Sequence, residues 1–374
     1  MGNDTGTRRP RWGIVWPLVA AITWLGSIAW VASQIGVGGA GLGLAVSLAV
    51  TTAVVAAFLW LDRWSRGRSR LLASAFAWGA SVAAFCSIWS QQWLQTLADA
   101  VWGTDVGAWV RPLAITPVTE EVLKGLFLIW LVVYRRREIV GLLDGIVYAG
   151  LVGAGFSFTE NSLYLGRPLS DVLASGGADA AAAISVLGVT LVLRVLLVPF
   201  FHSLMAGLTG IGAGIAASSR GRSAPALPVA LGLLAAVILH AVWDWAGLAS
   251  RDPYLIFKIY GAVMVPVFLA VLVLSVVLRH REGRRIGAAL PILVRDGDIA
   301  PEEAPLLASL GARRRWRAEV RRRAGRHAAH ALRRYQAEAS VLALRVARAD
   351  AAGEEQLAEQ RRVVAEIRSA AGMS

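Results

Sequence analysis

Residues 116–134 read TPVTEEVLKGLFLIWLVVY, an apolar run of membrane-spanning length that carries Glu120, Glu121 and Lys124 near its head. Each charge placed in a bilayer core costs roughly 2.5–3.5 kcal/mol on insertion scales, so a chain keeps three together only for a use. Glu120 and Lys124 stand one helical turn apart and can pair. Lys124 is one of two lysines, the other being Lys258, in a chain that otherwise carries positive charge as arginine. Thr116-Pro117 reads as an N-cap followed by a first-turn proline, which sets both glutamates where the helix dipole favours carboxylates.

Outward from this run the chain is apolar throughout. Of its 374 residues 56% are hydrophobic, and mean hydropathy is +0.56, which predicts an all-α polytopic bundle in the cell membrane. About eight spans are expected, near 13–33, 41–61, 71–91, 116–134, 141–165, 197–217, 226–248 and 255–278. The first is too long for a signal-peptide core and lacks a convincing small-x-small cleavage site, so it reads as an uncleaved anchor. Basic residues flank alternate connections: Arg8, Arg9 and Arg11; Arg63, Arg66, Arg68 and Arg70; Arg135 to Arg137; Arg220 and Arg222; Arg279, Arg281, Arg284 and Arg285. The opposite loops, near 92–112, 166–180 and 249–254, carry little positive charge, so both termini are expected in the cytoplasm. The net charge of +13 therefore reports topology and an anionic leaflet, and no nucleic-acid partner is expected. Cys86 is alone, which excludes an intramolecular disulfide and a cysteine-based metal site.

The apolar stretch 181–217 would be about 55 Å long as one helix, too long for a core of roughly 30 Å. Pro199 is expected to divide it into one span and a preceding extended or interfacial helix, which preserves the charge alternation. Glycines 207, 210, 212 and 214 predict close helix packing there. Residues 1–278 are expected to form the transmembrane domain, and 279–374 a cytoplasmic helical tail with 20 arginines against 12 acidic residues. In the tail, Leu332, Tyr335, Ala339, Leu342 and Val346 mark an apolar helical stripe, and Gly353 precedes a second helix, which together predict a hairpin. The run Arg313 to Arg326 reads as a solvated face, with anionic lipid headgroups as the alternative contact, and His327 and His330 read as surface residues.

Ionisable residues inside spans are functional candidates by default. They are Glu120, Glu121, Lys124, Asp144, Glu160, Arg194, His202, His240, Asp244 and Lys258. Phe156 and Glu160, like His240 and Asp244, are spaced i,i+4 and share a helix face. On the span boundaries above, Glu120, Glu160, His202 and His240 fall in the outer half of the bilayer, on four different helices, Glu160 about 8 Å from the outer end of its span. Asp144 reads as a boundary residue, Lys258 as interfacial, and Arg194 as pairing with a site carboxylate or snorkelling. A single histidine on an apolar helix is as often a hydrogen-bonded packing residue as a ligand; four coincident depths favour a site.

In order along the chain, Glu120-Glu121-Val-Leu-Lys124, Phe156-Ser-Phe-Thr-Glu160-Asn161, His202 and His240-Ala-Val-Trp-Asp244 resemble the four motifs of the PrsW family of intramembrane proteases. That family is grouped with the CAAX prenyl endopeptidases and the Abi proteins. The resemblance covers about residues 13–278 and implies hydrolysis of a peptide bond of a membrane-anchored protein, such as an anti-sigma-factor-type regulator. One of Glu120 and Glu121 is then expected to act as general base on water while the other pairs with Lys124 or Arg194. Glu160, His202 and His240 form a ligand set that zinc accepts, with Asp244 orienting His240. A metal-free version has His240 and Asp244 stabilise the oxyanion. Phe156, Asn161, Lys124 and Arg194 are supporting residues. A transporter using the same buried Glu and His residues as a proton relay is the alternative from another class, and a scaffold recruiting partners through the arginine-rich tail is a third.

Overall fold

The computed structural model describes residues 12–64, 69–175, 178–218, 226–249, 251–252, 254–348 and 354–370. Expectations resting on Arg8, Arg9, Arg11, Arg66, Arg68, Arg220, Arg222 and Gly353 lie outside the described residues. The helices in chain order are α1 (Trp12–Leu61), α2 (Ser69–Trp78), α3 (Ala84–Trp102), α4 (Thr104–Val110), α5 (Thr116–Tyr134), α6 (Leu142–Ala174) and α7 (Ala178–Leu191). They continue with α8 (Phe201–Ser218), α9 (Ala226–Asp244), α10 (Leu255–Ile259), α11 (Val265–Arg295), α12 (Glu303–Leu307), α13 (Leu310–Val346) and α14 (Glu354–Ala370). Among the described residues there is no strand, and the molecule is the all-α membrane bundle the sequence predicts.

Among the described residues, six helical segments are long and apolar enough to cross a membrane: Val15–Leu61, Ser69–Trp102, Leu142–Ala174, Asp179–Ser218, Ala226–Gly247 and Leu255–Arg295. The first is a folded pair. Gly36 takes φ 75° and ψ 160°, outside the helical region and open mainly to glycine. Trp24 before it stacks on Phe158 of α6, with ring centroids 6.1 Å apart. Ser47 after it donates to the Phe158 carbonyl at 2.8 Å, so the two arms of α1 run antiparallel, as the expected spans 13–33 and 41–61 require. A further segment of 19 residues, α5, is set apart from the six by Glu120, Glu121 and Lys124, and it packs among α3, α6, α8 and α9.

Three loop expectations are corrected. The 92–112 connection is helical, because α3 continues to Trp102 and α4 follows at once. No N-cap occurs at Thr116: π-helical turns over Arg111–Ile115 carry α4 directly into α5, and the wider turn accommodates Pro112 and Pro117 where an α-helix would have broken. The Thr116 hydroxyl donates instead to Gln91 at 3.3 Å. Finally, α6 passes through Pro168 to Ala174. Tertiary packing overrides the proline there, since Leu165 is buried and a Cβ on Gly166 would stand 2.5 Å from the Gly39 carbonyl. Glu160 is thus fourteen residues, roughly 21 Å, short of its helix end, farther than the sequence boundaries imply.

From Ala178 the chain descends α6 in one direction: Arg194 reaches Glu160, Ser203 donates to the Gly150 carbonyl at 2.8 Å, and Gly214 meets Leu142. A break at Val198 to Phe200, beside Pro199, separates the exposed helix α7 from α8, so the topology downstream is not inverted. The α6–α8 seam is closed by Gly145 and Gly210, where an added Cβ would lie 2.2 and 2.4 Å from the opposing carbonyl. Gly214 makes a similar approach to Leu142 of α6 and Gly212 to the Pro228 carbonyl of α9, whereas Gly207 has nothing within 4 Å and takes no part.

The composition boundary at Leu278 falls inside α11, which runs on to Arg295. Beyond it, α13 folds back at Gly325 (φ 83°), so that Trp316 meets Tyr335 and Arg313 donates to Ser340 at 2.6 Å. The predicted stripe Leu332, Tyr335, Ala339, Leu342 and Val346 is buried in a core shared with Ile286, Leu293 and Leu307. Trp64, from the chain just after α1, completes that core. Arg321 to Arg323, Arg326, His327 and His330 are exposed, while Arg313 is buried over the Trp64 ring.

Candidate functional site

Burial of Lys124 organises the site. Its ammonium, wholly enclosed, donates to Glu121 Oε1 at 2.8 Å, to Glu120 Oε2 at 3.2 Å and to His202 Nδ1 at 2.8 Å, and lies 4.1 Å from the Phe156 ring centroid. An ammonium only donates, so His202 Nδ1 accepts, and its Nε2–H donates to Glu160 Oε2 at 2.7 Å. Arg194 holds the same carboxylate oxygen at 2.8 Å, reaches Asn161 Oδ1 at 3.4 Å and stacks over Tyr164 at 3.8 Å. On the other flank His240 Nδ1 meets Glu121 Oε1 at 2.9 Å, while its Nε2 is 3.6 Å from Asp244 Oδ2. The partner that fixes the His240 ring is therefore Glu121 more than Asp244. Phe201 stands edge-on to both imidazoles, at 4.9 and 5.2 Å between ring centroids.

The structure thus gathers Glu120, Glu121, Lys124, Phe156, Glu160, Asn161, Arg194, His202, His240 and Asp244. It leaves out Asp144, which accepts from the Val140 and Gly141 amides and caps α6, and Lys258, which pairs with Asp252 at the surface. Counted from the arginine-bearing ends of α5, α6, α8 and α9, Glu120, Glu160, His202 and His240 stand 14 to 18 residues up their helices, roughly 21–27 Å. π-helical turns border the cluster at Arg111–Ile115, Val192–Leu197 and Trp245–Ala249, and they set where Glu120, Arg194 and Asp244 point.

Gln91 is a member the sequence did not reveal. Its amide donates to Glu120 Oε1 at 3.2 Å and to Ser87 Oγ at 2.7 Å, and it accepts from Thr116. The available signal was Ser87 and Gln91 one turn apart at the end of an expected span. A cavity of about 520 Å³ opens beside these groups. Glu120, Glu160, His202, His240 and Asp244 line it, as does Gln91, with Trp30, Val31, Leu193 and Ile256 as apolar wall; Glu121 and Lys124 lie behind the lining.

Among the described residues two buried groups have metal-ligating spacing: Glu120, Glu160 and His202, and Glu120, Glu121 and His240. The expected set Glu160, His202 and His240 is neither of these, because the two imidazoles belong to different groups. The donor chemistry suits a divalent cation. Four carboxylates face Lys124 and Arg194, leaving two formal negative charges over, and Glu121 Oε2 is buried without a hydrogen-bond partner.

A family model described as PrsW family intramembrane metalloprotease matches residues 67–272, more than half of the chain. The match omits α1 and ends within α11. No protein of curated function matches the chain, and neither does any solved structure.

Proposed function

Since the chain belongs to the PrsW family of intramembrane metalloproteases, we propose that it hydrolyses a peptide bond of a membrane-anchored regulator, of the anti-sigma-factor type, through water activated by Glu120. A protease of this kind is a hydrolase of the membrane, and the permease reading of the same residues falls away. The wider kinship with CAAX endopeptidases and Abi proteins rests on motif order alone.

One observation carries the assignment: a single cavity is lined by carboxylates and imidazoles from four helices and walled by apolar side chains, at one height in the bundle. That height, roughly 21–27 Å from the arginine-bearing helix ends, favours a cut near the outer face of a core about 30 Å thick. We assign the activity to residues 1–278 and an accessory cytoplasmic role to 279–374.

The two glutamates divide the work by exposure to the cavity. Glu120 lines it, and its Oε1 is steadied by the Gln91 amide, so this oxygen takes the proton from water as the hydroxide attacks the scissile carbonyl carbon. Glu121 is shut behind it, held by Lys124 and fixing His240. Negative charge developing on the carbonyl oxygen meets the Arg194 guanidinium, which also lines the cavity, and the proton on Glu120 passes to the departing amine as the C–N bond breaks. Glu121, through its orphaned oxygen, and His240 are the residues that would hold zinc beside Glu120, which keeps its role as base; when bound, the ion supplies Lewis acidity toward the carbonyl and lowers the pKa of water.

The test is co-expression with single-span membrane proteins, followed by assay of purified enzyme with and without 1,10-phenanthroline and with zinc added back. Glu120→Gln should abolish cleavage at unchanged membrane levels. Cleavage that survives in Glu120→Gln removes the proposed base, and activity indifferent to the chelator removes the zinc.

A further inference from the structure

A larger cavity, about 1320 Å³, lies away from this site, where the arginine-bearing ends of α5 and α6 and the middle of α11 meet α13 and α14. Seven arginines and four glutamates line it. Three of the arginines are held by contacts of their own: Arg136 donates to the Ala216 and Ala217 carbonyls within the bundle, while Arg137 pairs with Glu359 and Arg345 donates to the Arg137 and Gln356 carbonyls. The remaining four, Arg135, Arg281, Arg285 and Arg348, bring positive charge to the cavity from three separate elements. Arg281 and Arg285 stand one turn apart on α11, with exposed side chains. Arg348, half-buried, donates to the Val140 carbonyl; burial and the like charge of Arg285 push its pKa below the usual arginine value, a cost that an anion placed between the two would offset.

We propose that this cavity binds the phosphate-bearing headgroup of an anionic phospholipid, gripped by Arg135, Arg281, Arg285 and Arg348. Free phosphate shares the headgroup chemistry, but the wall is half apolar. Val133 and Tyr134, at 62% and 75% exposure, and Leu278 form it where α5 and the apolar part of α11 end, which suits acyl chains running up from an anchored head. The volume also exceeds what a bare oxyanion fills. The lipid would then bridge the transmembrane helices and the tail, both of which contribute arginines.

The full-length protein, purified in detergent, is titrated with dioctanoyl-phosphatidylglycerol, dioctanoyl-phosphatidylcholine or inorganic phosphate, and the midpoint of thermal unfolding is followed. Phosphatidylglycerol should raise the midpoint saturably and phosphatidylcholine should not. Arg281→Ala/Arg285→Ala should weaken the phosphatidylglycerol effect about tenfold, because each arginine near an anionic headgroup contributes several-fold. Arg321→Ala/Arg326→Ala removes the same charge from the exposed face of α13 and should leave the affinity within about twofold. Arg285→Gln gives a one-charge version, about threefold, should the double variant express poorly. Equal weakening by both double variants would reduce the effect to diffuse surface charge. A response to phosphatidylcholine matching that to phosphatidylglycerol would remove the headgroup selectivity, and saturation by inorganic phosphate at the same concentration would make the site one for a soluble anion; each overturns the proposal.

Discussion

Behind the cavity that Glu120 lines, ions are shut away from water: Lys124 and Glu121 meet at 2.8 Å with both side chains at 0% exposure. Beneath the helix ends, Arg137 and Glu359 meet at 2.7 Å with 52% and 58% exposed. The distances are alike and the consequences are not. Where water is excluded, removing one partner strands the other, and the whole desolvation cost appears as lost stability or altered chemistry. Where water has access, it replaces the missing partner, and the pair is worth little. The two cavities also differ in the sign left over, negative in the upper and positive in the lower, so the same residue types select a cation in one and an anion in the other.

The sharpest way to break this contrast is Glu120→Gln, which removes the proton acceptor while keeping the shape of the side chain. Cleavage of a reconstituted substrate should fall about 10²–10⁴-fold, the usual worth of a general base. Lys124→Met comes next. It leaves Glu120, Glu121 and His202 without their shared donor, and unfolding in detergent should show about 3–5 kcal/mol lost, as for a broken buried ion pair. Gly145→Ala, in the seam between the two cavities, drives a methyl against the Gly210 carbonyl and should cost about 1–3 kcal/mol in the same assay. Tyr335→Phe probes the tail, where the phenol donates to Glu303 Oε2 at 2.7 Å, with Arg368 on the other carboxylate oxygen; about 1 kcal/mol should be lost. Burial and the Glu303 charge raise the Tyr335 pKa, so its contribution is complete below the unfolded value near 10 and declines as pH rises above it. The phenylalanine variant should lack that alkaline decline. Smallest of all, Arg137→Ala should change stability by under about 1 kcal/mol, and a larger loss would mean that the lower cavity is drier than its exposure indicates.

The charged half of the site was legible because Glu120, Glu160, His202 and His240 interrupt apolar runs, where each needs a reason to be present. Their helices were legible for the same reason, hydropathy being the dominant signal in a bilayer. Gln91 escaped notice: it is uncharged and belongs to a polar run, Ser90 to Gln92, that reads as a span end. The pairing of His240 with Glu121 was also hidden, since consecutive glutamates differ in direction by about 100° and only the packing of α5 against α9 decides which one faces the ring. Thr116-Pro117 misled as a helix start, because π-helical turns over Arg111–Ile115 let the helix continue through it. The tail stripe was read correctly, whereas the fold-back at Gly325 was invisible to a pattern that sees only one face.

Trp64 sets the timing of assembly. It directly follows the hairpin of α1, yet it packs against Gly283 and Arg313 in a core whose other buried members leave the ribosome more than two hundred residues later. Until then its indole waits without its partners at the membrane surface, and the tail lacks one wall. A later part of the chain therefore closes over an earlier one, so a nascent protein truncated before α11 would present an uncovered tryptophan, a mark by which incomplete molecules differ from finished ones.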